Sequence, residues 1–129
     1  MKDKINLEKP KIKLNPLEKT AVNTQTQKEY NELMQVYEIG GWKWRTGYLP
    51  TELELWKTYK EKTCIGGGIG TFANKGRFGY CDEEFYKKES WKILSSKEFY
   101  KKQKITPEMI KEINKYFENN FPNRANKGK

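Results

Sequence analysis

Apolar residues recur at helical spacing in two stretches of the chain. Tyr30, Leu33, Met34 and Tyr37 stand at i, i+3, i+4 and i+7, which places them on one face of a helix. Met109, Ile110, Ile113, Phe117 and Phe121 form a second such stripe. Both stripes carry end signals. Thr24 or Thr26 is placed to cap the first, and Gly40-Gly41 supplies its left-handed C-terminal stop. Thr106 caps the second, Pro107 takes the first helical position, Glu108 and Glu112 suit the positive helix start, and Pro122 ends it.

Elsewhere the period shortens to two. Trp42-Lys43-Trp44-Arg45-Thr46 reads as a strand with both indoles on one side and both cations on the other. Thr63-Cys64-Ile65 opens a second strand running into Gly66-Gly67-Gly68-Ile69-Gly70. Asn74-Lys75-Gly76 is a turn signal, and Arg77-Phe78-Gly79-Tyr80-Cys81 returns as a third. A turn centred between Phe72 and Ala73 sets Cys64 opposite Cys81, and a later centre offsets them. Asp82 caps a short helix containing Phe85 and Tyr86. Trp91-Lys92-Ile93-Leu94 is a fourth strand, followed by a helical turn capped by Ser95 or Ser96, with Glu98 placed to close a capping box on Ser95. Thr51 opens either a short helix through Leu53, Leu55, Trp56 and Tyr59 or, since Leu-Glu-Leu alternates, another strand.

This order predicts an α+β fold: a small antiparallel sheet of about four strands with helices packed on one face and an extended N-terminal arm. Residues 1–22 form that arm, disordered or extended, with Ile12, Leu14 and Val22 as docking points. In an alternative reading, Lys11-Ile12-Lys13-Leu14 is an edge strand. Residues 23–121 make the single domain and 122–129 a basic flexible tail. At 129 residues the chain has little left for a second domain.

Composition narrows the chemistry. Aromatic residues reach 14% against 35% hydrophobic overall, so few but large side chains must build the core. No apolar run is long enough to span a bilayer, and the start of the chain lacks the apolar stretch of a signal peptide. A cytoplasmic location in a bacterial host cell, without membrane contact, is the expectation. There is no histidine, which removes the commonest general base, the commonest partner of cysteine in zinc sites and every Ser-His or Cys-His nucleophile. Two cysteines cannot close a structural zinc site, and no calcium-loop pattern is present. No catalytic residue, metal or cofactor is assigned, and the expected mode of action is binding.

The formal charge of +9 invites a nucleic-acid reading, but its distribution weakens it. Residues 1–20 carry six Lys against three acids, and 122–129 carry Arg124, Lys127 and Lys129 with none. Two-thirds of the net charge therefore lies near the ends, and basic tails bind polyanions weakly and without sequence preference. Asp82-Glu83-Glu84 fits a helix start better than an acid-base pair, because adjacent side chains point apart. Lys97, Lys101, Lys102 and Lys104 make either a basic patch or a solvated linker.

The candidate binding surface follows from what remains. The glycines Gly66, Gly67 and Gly68 suit either an anion nest of converging N–H groups or a close approach of backbones. Neither a phosphate-loop nor a dinucleotide fingerprint accompanies them. Lys43 and Arg45 lie opposite the indoles. Arg77 is one of three arginines among 26 basic residues, and a guanidinium grips phosphate or carboxylate with two parallel hydrogen bonds. Tyr59, Lys60 and Tyr80 add rings and a cation nearby, the combination that nucleotide recognition uses.

The segments Asn31-Glu32-Leu33-Met34, Gly41-Trp42-Lys43-Trp44-Arg45-Thr46-Gly47, Trp56-Lys57-Thr58-Tyr59-Lys60, Thr63-Cys64-Ile65, Phe78-Gly79-Tyr80 and Trp91 through Phe99 resemble small accessory proteins encoded by phages and prophages of low-GC bacteria, a group without an assigned activity. The likeness covers a little over half of the chain and leaves out residues 66–70 and both ends. It implies a virus-encoded accessory protein, and many of those counter host defences. With the lack of catalytic constellations and the aromatic-rich scaffold, the leading expectation is an anti-CRISPR-like inhibitor that holds a defence protein or nucleoprotein complex such as a CRISPR effector. The alternatives are a sponge for a nucleotide second messenger of immunity and a non-specific DNA- or RNA-binding module.

Overall fold

The computed structural model describes residues 8–15, 17, 19–67 and 77–121. The chain order is β1 (Thr20–Thr24), α1 (Gln27–Ile39), β2 (Lys43–Trp44), a 3-10 turn (Pro50–Glu52), α2 (Trp56–Tyr59), a second 3-10 turn (Lys60–Lys62), β3 (Thr63–Gly67), β4 (Arg77–Asp82), α3 (Glu83–Lys88), β5 (Lys92–Ser95), α4 (Ser96–Lys102) and α5 (Pro107–Asn120).

The fold is α+β, and the sheet differs from the antiparallel one expected. Its five strands run in the order β2-β4-β3-β1-β5. β3 pairs antiparallel with both β1 and β4, while β1 pairs parallel with β5 and β2 parallel with β4. One strand, β3, thus opposes the other four. Parallel neighbours cannot be joined by tight turns and need crossovers over a face. α1 carries the chain from β1 to β2 over one face, and α3 carries it from β4 to β5 over the other. Helices therefore cover both faces rather than one. α1, α4 and α5 lie over the side that holds Val22, Ile65, Phe78 and Leu94. Tyr86 of α3 lies against Ala21 and Cys64 on the opposite side.

The expected arm needs the larger correction. β1 begins at Thr20 and lies between β3 and β5, so a boundary at 22/23 falls inside a central strand. Ala21 and Val22 are both buried, on opposite faces. Upstream, residues 8–15 have no regular structure and form no edge strand. They are nevertheless tied down. Leu14 is buried against Gly40, where an added Cβ would come within 2.5 Å of Leu14 Cδ1. The Asn15 N–H donates to Gln103 Oε1 and Gln103 Nε2 donates back to the Asn15 carbonyl, both at 2.8 Å. Ile12 and Leu14 turn inward while Lys11 and Lys13 are exposed.

Local signals explain the helices. Thr26 accepts from the Glu29 N–H, Asp82 from Phe85, Ser95 from Glu98 and Thr106 from Met109. Past α1, Gly41 is left-handed (φ 87°), its N–H reaches the Glu38 carbonyl, and the Trp42 N–H reaches Tyr37. That is a Schellman stop. The same pattern closes α3 through Ser90 and α4 through Lys104. Of the two forms expected for residues 49–59, the helix holds only over Trp56–Tyr59; Thr51 lies inside the 3-10 turn Pro50–Glu52 rather than at the start of that helix, and its hydroxyl donates to Glu38 Oε1 at 2.6 Å.

Candidate functional site

β2 is two residues long, because the Gly47 N–H returns to the Trp44 carbonyl and turns the chain away with φ 98° at Gly47. β4 runs on past it through Asp82. Beside that overhang lies an open groove of about 330 Å³. Trp44, Arg45 and Thr46 bound it on the β2 side. Leu53 and Leu55 form one wall, Phe78 to Cys81 the floor, and Phe85 and Tyr86 of α3 the other wall.

The Leu53/Leu55 wall is held by polar contacts to the core. Tyr30 is buried, and its hydroxyl donates to the Leu53 carbonyl (2.9 Å) and accepts from the Leu55 N–H (3.1 Å). Burial pushes that hydroxyl well above the usual phenol range, so it stays neutral and keeps its proton for Leu53. Trp44 Nε1 donates to the Pro50 carbonyl and Trp56 Nε1 to that of Thr24. Both indoles are thus satisfied inside the protein, and the expectation that Trp42 and Trp44 belong to the core holds. A run of rings links core to groove: Tyr37 to Phe78 (4.7 Å between centroids), Phe78 to Trp44 (4.5 Å), Trp44 to Tyr80 (6.0 Å) and Tyr80 to Tyr59 (5.8 Å).

The nine residues singled out from sequence divide. Arg45 and Tyr80 line the groove, and the Tyr59 ring lies tilted against that of Tyr80. The Cys81 thiol next to Tyr59, together with burial, raises that hydroxyl above its ordinary value. Lys43 is exposed on β2, and Lys60 is exposed with a positive φ of 54° at the end of α2. Gly66 belongs to the ladder. It pairs with Gly79, and a Cβ there would meet Tyr86 and Trp91 at 2.8 Å. The close-approach reading of the glycines therefore holds at this position, where two rings pack against bare backbone. Gly67 pairs with Phe78 and Arg77 with Lys43 along the sheet. Gly68 lies outside the described residues, as do Asn74-Lys75-Gly76 and the 122–129 tail.

Leu53, Leu55, Phe85 and Tyr86 were not among the candidates. One signal pointed their way: Phe85 follows a capped helix start with no periodic partner. It is one of two large hydrophobic residues left exposed among the described ones, at 45%, the other being Tyr48. Cys64 and Cys81 do stand opposite each other. Both are free, Cys64 is buried, and burial pushes its thiol up to about 11. A thiol so raised is a poor nucleophile at neutral pH.

Among the described residues no helix is long and apolar enough to cross a membrane, and no three Cys, Asp or Glu residues gather as a metal site. No protein-family model, curated protein or solved structure matches the chain.

Proposed function

We propose that the chain acts by stoichiometric binding, gripping a partner protein in the groove beside β4, and that the partner is a component of bacterial anti-phage defence such as a CRISPR effector. The observation that carries the binding mode is the groove itself. Its walls are leucine and aromatic side chains, its rim holds Arg45, and Phe85 stands exposed within it. Exposed apolar surface of this kind, bordered by polar groups, marks contact sites on otherwise polar proteins. The choice of partner class rests on the resemblance to phage accessory proteins.

The test is a pull-down of tagged chain from phage-infected cells, run beside Phe85→Glu, with plaque counts on defended and undefended hosts. Capture of a defence component by the parent chain, lost in Phe85→Glu together with the rescue of plaquing, supports the reading. Unchanged plaquing with no defence component captured overturns it.

A second reading, sequestration of a cyclic nucleotide signal, is favoured by Arg45 and the Tyr80 ring lining the same groove, since cation and ring together suit a nucleotide. Calorimetry against a panel of cyclic nucleotides tests it. Heat of binding abolished by Arg45→Ala favours it, and no heat discards it.

A further inference from the structure

Opposed residues of an antiparallel pair alternate between those that exchange both backbone hydrogen bonds and those that exchange none. The Phe78 carbonyl accepts from the Arg45 N–H at 2.8 Å, so Phe78 turns its backbone polar groups toward β2 and away from β3. The β3/β4 register continues unbroken from Gly67↔Phe78 to Thr63↔Asp82. Alternation then aims Gly79 and Cys81 at β3, and aims the N–H and C=O of Tyr80, with the N–H of Asp82, to the other side. On that side β2 has already ended at Trp44.

Among the described residues no strand continues along that side of β4 past Trp44, and this edge is the floor of the groove. We infer that the groove takes its partner by strand addition: an extended apolar segment of the partner protein, with a carboxylate at the end nearest β2, pairs with the Tyr80 edge of β4. This rests on the protein-binding reading of the same groove and specifies its mode. Bare sheet edges are templates for an added strand, with backbone hydrogen bonds supplying affinity and flanking pockets supplying selectivity. An added strand projects alternate side chains to its two sides. Here one side meets Leu53 and Leu55 and the other meets Phe85 and Tyr86, so both want apolar residues. The exposed Lys43 at the β2 end is complementary to a carboxylate on the guest, and it places the carboxylate at that end.

The experiment selects displayed random peptides on the immobilised full chain, then measures the most enriched synthetic peptide against four proteins: the parent, Phe85→Glu, Tyr80→Ala and Tyr80→Pro. Both Tyr80 variants lose the ring, but only proline loses the outward N–H, and that N–H is not part of the β3 ladder. Amide hydrogen exchange of the parent, free and peptide-bound, gives a reading that needs no variant to fold. The expected result is an apolar peptide with a terminal acid, bound about tenfold or more weaker by Tyr80→Pro than by Tyr80→Ala, as loss of a backbone hydrogen bond requires, with the Tyr80 amide slowed by the peptide. Equal binding by the two Tyr80 variants with an unslowed Tyr80 amide overturns strand addition and leaves the groove as a side-chain pocket. Peptides indifferent to Phe85→Glu overturn the groove reading as well. Displacement of the peptide by a thymidine oligonucleotide assigns the site to nucleic acid and overturns both.

Discussion

The two faces of the sheet are built from the same kinds of residue and to different depths. On one, α1, α4 and α5 bury a continuous core through Leu33, Met34, Tyr37, Phe78, Phe99, Ile113 and Phe117. On the other, α3 alone lays Tyr86 over Ala21 and Cys64, with Cys81, Trp91 and Ile93 half-buried around it. The thick face has material to spare for stability. The thin face ends in Phe85, exposed beside the groove. Apolar area kept in water raises the free energy of the chain, and only a second molecule recovers it. Depth on one side thus lets the other side keep surface for a partner.

The sharpest way to break that contrast is to truncate one ring on each face. Phe117→Ala removes a fully buried ring and is expected to cost about 3–5 kcal/mol. Phe85→Ala removes an exposed one and is expected to change stability by no more than about 0.5 kcal/mol. Chemical denaturation of both variants checks the pair. A large loss in Phe85→Ala would mean that the ring belongs to the core and that the groove is not a free surface.

Next in size is Gly66→Ala, which asks how tightly the thin face is packed. The new methyl would meet Tyr86 and Trp91 ring atoms at 2.8–2.9 Å, and rings do not yield like the end of a flexible chain. Overpacking of this kind costs about 1–3 kcal/mol. A variant as stable as the parent would show that α3 rides loosely on the sheet. Tyr30→Phe follows, and strikes the groove from the thick side. It strips the hydroxyl that holds the Leu53 carbonyl and the Leu55 N–H. Since water can reach part of that segment, a cost of about 1–2 kcal/mol is expected. Faster amide exchange at Leu55 is the specific sign, because loss of a pin frees the wall before it melts the core.

Those elements were unequally legible in the sequence, for physical reasons. α1 and α5 announce themselves because one buried face gives a 3.6-residue stripe and each end carries a cap or stop. The hairpin register was open to one of two turn centres, and pairing Cys64 with Cys81 selects the first. β1 stayed hidden because a central strand covered on both faces shows no alternation, and in Thr-Ala-Val-Asn-Thr the side chains are small and mostly polar, so they form no apolar run. Two of its residues spend polar groups internally: Thr24 donates its hydroxyl to the Thr63 carbonyl and Asn23 reaches that same carbonyl. The parallel pairings β1/β5 and β2/β4 join residues far apart in the chain, which no local pattern encodes. At the site, aromatic and basic residues were legible as types, so Arg45, Tyr59 and Tyr80 were found. Leu53, Leu55 and Phe85 were missed because they become a wall only when crossovers bring them beside β4.

The smallest expected effect concerns a half-buried carboxylate on the thick face. Glu32 of α1 is half-buried facing Tyr100 of α4, with Lys28, Glu29 and Asn114 around it, and burial raises its carboxyl above the ordinary range despite the partial offset from Tyr100 and Lys28. Because its folded value exceeds its unfolded one, the native state binds that proton more tightly. The resulting stability is fully present below the unfolded value and is lost as pH rises through the folded one. At neutral pH the ionised carboxylate is therefore a liability to the thick face. Glu32→Gln keeps the shape and removes the charge, so it should be more stable than the parent at neutral pH. That gap should close as pH falls through the folded value toward about pH 4, the ordinary glutamate value. Solvent at the half-buried group screens the effect, which ranks it below the three losses above. Parallel denaturation curves for parent and variant across that range decide it. A gap that stays constant with pH would mean that the substitution acts through packing against Tyr100 and not through the proton.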